Sequence, residues 1–122
     1  MAAILIAEDI AEIRFAYETI LMGAGHEVNS VANGRDAITS LEEQKYDIVI
    51  TDLMMPQKDG FDVAEQADKL NPRPKILVIT GGGDQMSPYA ALKLQGANID
   101  RMLVKPIEKK TLTDTVERLL RD

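Results

Sequence analysis

The 122-residue chain contains no cysteine. That excludes a disulfide scaffold, a thiolate metal site and a cysteine nucleophile together. It has a single histidine, His26, so no second imidazole is available for a histidine metal site or a catalytic triad, and His26 itself reads as an exposed edge-strand residue. Basic charge is also in short supply: fourteen Lys and Arg face twenty Asp and Glu, a net charge of −6. A surface of that sign repels phosphate backbones and anionic lipid, which argues against direct binding to nucleic acid or membrane. Long apolar runs are missing as well. The N-terminal run from Met1 to Ala7 is interrupted by Glu8-Asp9, too soon for a signal peptide or a membrane span. No low-complexity tract, linker or internal repeat divides the chain. The expectation is one cytoplasmic domain over residues 1–122, with no output domain attached.

What is present is a regular alternation. Four continuous, β-branched runs, Ala3–Ala7, Asp47–Thr51, Lys75–Thr80 and Arg101–Lys105, have the character of strands buried on both faces of a parallel sheet. A fifth, His26–Val31, alternates in polarity and suits an edge. Between them, Ile10, Ile13, Tyr17, Ile20 and Leu21 recur at helical spacing, with Gly23 and Gly25 as the stop. Ala37, Ile38 and Leu41 mark a second helix capped by Asn33. Phe61, Ala64, Ala67 and Leu70 mark a third, ended by Asn71-Pro72. Ser87-Pro88 opens a fourth that Gly96 closes, and Leu112, Val116, Leu119 and Leu120 stripe the last. Five βα units imply an α/β doubly wound parallel sheet with right-handed crossovers.

Such sheets place ligands beyond the carboxyl ends of their strands. There the first strand is followed by Glu8 and Asp9, the third by Thr51 and Asp52, the fourth by Thr80 and three glycines, and the fifth by Lys105-Pro106. Taken singly, each has an ordinary explanation. An aspartate past a strand caps a helix or forms a turn, a threonine ends a strand, a lysine sits in solvent beside a proline, and Met54-Met55 packs. Together they complement one another. Three carboxylates close to one another repel, and burial without a partner raises their pKa values. A hard divalent cation such as Mg2+ relieves that conflict and polarises an incoming phosphoryl group. Lys105 supplies a second positive charge and Thr80 a hydrogen-bond donor. One carboxylate is then the nucleophile, and Asp52, on the central strand, is best placed to be it.

These residues resemble the receiver domain of two-component response regulators, the CheY-like superfamily. The likeness runs through Leu5-Ile-Ala-Glu-Asp9, Asp47-Ile-Val-Ile-Thr-Asp-Leu-Met-Met-Pro56 with Gly60 following, Val78-Ile-Thr80 and Val104-Lys-Pro106. It implies a flavodoxin-like (βα)5 sheet of order 2-1-3-4-5. Asp52 would be the phosphoacceptor, Asp9 a direct Mg2+ ligand, Glu8 a ligand through water, and the Met54 carbonyl a further ligand. Mn2+ could substitute. Thr80 and Lys105 would take the switch and phosphate-pairing roles, and Lys105-Pro106 is expected to be cis. The resemblance also implies a histidine kinase or histidine phosphotransfer protein as donor. A downstream protein would bind the face made by the fourth helix, fifth strand and last helix. Such a chain catalyses only its own phosphorylation and dephosphorylation, and is expected to be a monomer or weak dimer.

Three departures stand out. The acid pair is Glu-Asp rather than the commoner Asp-Asp. Met102 occupies the position of the family's switch aromatic, so aromatic rotation is excluded as the reporter. Three glycines follow Thr80 without the G-x-x-x-x-G-K-[ST] pattern of a nucleotide loop. Their expected role is a mobile loop that rearranges with Thr80. The alternatives are an adaptor of the same fold without a phosphorylation cycle, an aspartate-dependent phosphohydrolase, and a dinucleotide-binding oxidoreductase. The phosphohydrolase needs an acid two residues beyond the nucleophile, where this chain has Met54. The oxidoreductase needs a glycine-rich turn after the first strand, where this chain has Glu8-Asp9, which would repel pyrophosphate.

Overall fold

The computed structural model describes residues 1–53, 60–81, 96 and 98–122. Five strands, β1 (Ala3–Ala7), β2 (Glu27–Val31), β3 (Ile48–Asp52), β4 (Lys75–Thr80) and β5 (Arg101–Val104), form one parallel sheet. Their order is β2-β1-β3-β4-β5, the flavodoxin-like arrangement. The helices among the described residues are α1 (Ala11–Gly23), α2 (Gly34–Glu43), α3 (Gly60–Asp68) and α4 (Lys109–Arg121); α4 is therefore the C-terminal helix. The helix expected to open at Ser87 falls almost wholly outside the described residues. So do Met54, Met55, Pro56 and the glycines at 82 and 83.

Alternation along the strands explains why helices cover both faces. Ile4 and Ile6 of β1, Ile48 and Ile50 of β3, and Leu77 and Ile79 of β4 pack with Tyr17, Leu21, Leu112 and Val116 of α1 and α4. The intervening Leu5, Val49, Ile76 and Val78 pack on the other side with Ala37 and Leu41 of α2 and Phe61, Ala64 and Ala67 of α3. Every residue of β3 is buried, as a central strand requires, whereas β2 and β5 at the edges are largely open.

Local signals fix the helix ends. Asn33 caps α2, its Oδ1 accepting from the Asp36 N–H at 2.8 Å, so one orphan donor of the first turn is satisfied. After α1, Gly25 takes φ +95°, and the His26 N–H donates to the Leu21 carbonyl at 3.1 Å. That six-to-one bond closes a Schellman turn, and a residue without Cβ adopts it at least cost.

Four expectations need correction. The run Arg101–Lys105 is not buried on both faces: it forms the edge strand β5, which ends at Val104 and is mostly exposed because no strand pairs with its outer side among the described residues. His26 is not an exposed edge residue: its side chain is only 5% exposed. Its Nδ1 accepts from the Ala2 N–H at 3.2 Å, and Nε2 lies 3.6 Å from Glu117 Oε1 of α4. Packing from the N-terminal segment and the last helix, both far away in sequence, covers it. Leu120 is 38% exposed and leaves the buried stripe of α4, which Leu112, Val116 and Leu119 form. The third strand runs one residue later than expected, so Asp52 is its last residue, in register with Ile79, whose carbonyl accepts from the Leu53 N–H at 2.9 Å.

Candidate functional site

Connections from β1 and β3 leave the sheet in opposite directions, and the crevice between them lies above the carboxyl ends of these neighbouring strands. Glu8 and Asp9 follow β1, and Asp52 ends β3, so the topology alone brings the three acids to this crevice. One carboxylate oxygen from each of Glu8, Asp9 and Asp52 lies within 4.8 Å of the other two. Glu8 is 1% and Asp52 6% exposed, while Asp9 is open to solvent.

Lys105, just beyond β5, reaches across β4 into this group. Its Nζ donates to Asp52 Oδ2 at 2.8 Å and lies 2.8 Å from Glu8 Oε1. Thr80 ends β4, is 4% exposed, and its carbonyl accepts from the Lys105 N–H at 2.8 Å. That bond fixes where Lys105 leaves the sheet. The Lys105–Pro106 peptide is cis. Thr51, fully buried, donates its hydroxyl to the Asp52 carbonyl at 3.0 Å and so serves the strand end rather than the acids. Met102 lies on β5, 41% exposed, opposite Val78. The Met54 carbonyl lies outside the described residues.

The charges in the cluster are unequal. Among the described residues, three carboxylates face one ammonium, an excess of two negative charges when all are ionised. Burial pushes the Glu8 carboxyl up to about 7, with the neighbouring Asp52 charge adding to the effect and the Lys105 bond opposing it. Burial by itself would lower Lys105, but the bonds to Asp52 and Glu8 outweigh it and push the ammonium up to about 12. Burial thus favours the protonated form of Glu8, while the bonds to both acids keep Lys105 charged. An all-oxygen, anionic donor set with surplus negative charge is what a hard divalent cation selects. The residues present therefore fit Mg2+.

Two neighbours of this site are named in the sequence pattern but given no place in the site there. Gly60, first residue of α3, sits so close to the strand end that a Cβ there would lie 2.3 Å from the Asp52 carbonyl oxygen and 2.7 Å from the Leu53 Cα. Its signal was available, a glycine eight residues past an acidic strand end, but the contact is tertiary. Tyr17 of α1 is 5% exposed and lines a cavity of about 510 Å3 with Ile13, Gly81, Lys105 and Ile107. Burial raises its phenol above the ordinary tyrosine range. Its helical spacing suggested only core packing.

Fold and site together define a class: a doubly wound α/β module carrying a cation-compatible acid cluster at its topological switch point. Comparison with known proteins supplies the family. The pattern of the response regulator receiver domain matches residues 4–117, and the chain belongs to that family. It is 32% identical over 117 residues to the chemotaxis protein CheY of Thermotoga maritima, covering 95% of each chain. It is 31% identical over 121 residues to the transcriptional regulatory protein AfsQ1 of Streptomyces coelicolor, covering 99% of this chain but 52% of AfsQ1; it thus spans about half the length of that relative. Among solved structures, the receiver domain of the sensor histidine kinase PA1611 from Pseudomonas aeruginosa superposes with a TM-score of 0.87 at 26% identity. That match covers 99% of this chain and 98% of the other, and the PA1611 structure carries a magnesium ion coordinated in the active site cleft. Receiver domains are signalling modules of two-component systems rather than conventional enzymes. No helix among the described residues is long and apolar enough to cross a membrane.

Proposed function

We propose that this receiver accepts a phosphoryl group on Asp52 in a Mg2+-dependent reaction. The donor is the phosphohistidine of a histidine kinase or histidine phosphotransfer protein, which places the chain in a phosphorelay. Lys105 Nζ bridging Asp52 Oδ2 and Glu8 Oε1, both at 2.8 Å, beside a third carboxylate, is the observation that carries this reading. It supplies a buried nucleophile, a fixed counter-charge and donors for a divalent cation in one crevice.

Asp9, Asp52 and the Met54 carbonyl would hold the cation directly, with Glu8 reaching it through water. When bound, Mg2+ supplies charge neutralisation for the transferring phosphoryl oxygens. Asp52 supplies the electron pair. An Oδ–P bond forms as the donor's N–P bond breaks, and the bonding pair of the latter stays on the imidazole nitrogen. Lys105 stays charged throughout and follows the negative charge as it passes from the carboxylate to the phosphoryl oxygens. Thr80, on the neighbouring strand, donates its hydroxyl to the same oxygens. The modified side chain carries up to about two negative charges, and the face formed by the expected fourth helix, β5 and α4 changes population. A downstream protein reads that face.

The reaction is tested with isotopically labelled acetyl phosphate and Mg2+. The expected result is an acid-stable, hydroxylamine-labile label on the wild-type chain and none on Asp52→Asn. Label persisting on Asp52→Asn, or none on either, overturns the assignment. Met102, 41% exposed where the family carries its switch aromatic, favours one second reading, an adaptor of receiver fold without a phosphorylation cycle. Beryllofluoride with Mg2+ separates the two: a spectroscopic change supports the phosphoacceptor, and its absence supports the adaptor.

A further inference from the structure

The turn that carries Glu8 and Asp9 lacks the usual device for holding a helix entry. Ile10, the N-cap of α1, offers no side-chain acceptor, so the corner between β1 and α1 is not closed by a cap of the Ser, Thr, Asp or Asn kind. Two other bonds close it. Glu8 Oε2 accepts from the Ile10 N–H at 3.2 Å, and Arg14 Nη1, one turn along α1, donates to the Glu8 carbonyl at 2.8 Å. The other side of the corner is anchored by the Glu8 N–H donating to the Val31 carbonyl of β2 at 3.1 Å. Both polar backbone groups of Glu8 are therefore held, one by the sheet and one by Arg14. The carbonyl bond is charge-assisted and half-buried, which makes it stronger than an ordinary neutral bond.

We infer that Arg14 is a positioning residue for the cation site: by fixing the Glu8 carbonyl it sets the direction in which the Glu8 and Asp9 carboxylates face Asp52. Arg14 acts through the backbone and touches neither the cation nor the phosphoryl group. This inference rests on the Mg2+ site proposed above. Its logic is that of partners outside a metal's own ligand shell, whose loss weakens binding because the ligands are no longer preorganised. Only one guanidinium nitrogen makes the bond, so a lysine ammonium can replace it, unlike at a forked arginine contact.

The test is Mg2+ titration of the full chain, followed by tyrosine fluorescence and checked by calorimetry. The wild type, Arg14→Met, Arg14→Gln, Arg14→Lys and Arg121→Met are compared. Arg121 serves as the charge control. It lies at the far end of the sheet, where its neighbour Asp122 accepts from Lys75 at the start of β4. Arg14→Met is expected to weaken Mg2+ affinity about ten-fold, Arg14→Lys to recover most of it, and Arg121→Met to match the wild type. If Arg14→Met fails to fold, Arg14→Gln, too short to span the same gap, is read in its place. Mg2+ affinity unchanged in Arg14→Met or its substitute overturns the inference. So does a loss in Arg14→Lys as large as in Arg14→Met, or in Arg121→Met. A wild type that binds no Mg2+ instead overturns the proposed cation site itself, so the two failures are distinct.

Discussion

One cation bridges two carboxylates at each end of this sheet, and the two arrangements behave differently. At the end where the strands start, Arg73 pairs with Asp68 at 2.7 Å and with Asp100 at 2.9 Å. It also donates to the Asn98 carbonyl at 3.0 Å. Both acids have other donors, the Asn98 amide for Asp68 and the Ile76 N–H for Asp100, and their side chains are 33% and 24% exposed. At the opposite end, Lys105 pairs with Asp52 and Glu8, whose side chains are 8% and 1% exposed, and Asp9 adds a further carboxylate. Solvent and further donors serve both acids of the first cluster. In the second, Glu8 keeps one backbone donor, the Ile10 N–H, but it and Asp52 are buried, and among the described residues the carboxylates outnumber the ammonium. Counting ion pairs would not tell a clamp from a site; burial and charge balance do.

Breaking the backbone support of the buried cluster should have the largest effect. Gly60→Ala places a methyl 2.3 Å from the Asp52 carbonyl, a clash with main chain that no rotamer relieves. Equilibrium urea unfolding should show a loss of about 3 kcal/mol or more. Gly23→Ala, whose Cβ would meet nothing within 4 Å, should instead be neutral or gain up to about 1 kcal/mol. Equal effects from the two would remove Gly60 from the account.

Cutting the cation from each cluster sharpens the contrast directly. Lys105→Met removes the ammonium that the buried Glu8 and Asp52 share and should cost about 3 kcal/mol in metal-free buffer near neutral pH. Arg73→Met leaves acids that water and backbone donors still serve, and about 1 kcal/mol is expected. The order of the two midpoints in urea is the measurement, and a larger loss for Arg73→Met contradicts the comparison.

A smaller effect calibrates the scale. Asn33→Ala removes the cap of α2, away from either cluster, and should cost about 1 kcal/mol with no change in Mg2+ affinity. A change in that affinity would mean that the bond between the Glu8 N–H and the Val31 carbonyl passes a disturbance of this helix entry on to the acid cluster.

Much of this architecture is legible in the sequence alone. The continuous β-branched runs become β1, β3 and β4 because burial on both faces demands apolar residues at every position. Glu8, Asp9, Asp52 and Lys105 could be gathered because a parallel sheet turns positions at strand ends into neighbours. Asn33 announced its cap by type and place. What stayed hidden depends on contacts between segments far apart in sequence. His26 reads as polar and edge-bound until the Ala2 N–H and α4 enclose it. The role of Arg14 appears only when α1 folds back over the β1 corner. Gly60 resembles any helix-opening glycine until the Asp52 backbone is found against it. Leu120 fits the helical period of its neighbours, yet it is 38% exposed.

Urea unfolding of the wild type and of Asp9→Asn, each with and without saturating Mg2+, tests the claim that the buried cluster is built for a cation. Mg2+ is expected to stabilise the wild type by about 2 kcal/mol, as for a ligand at some thirty times its dissociation constant, and Asp9→Asn by far less. No stabilisation of the wild type, or equal stabilisation of both, would contradict it.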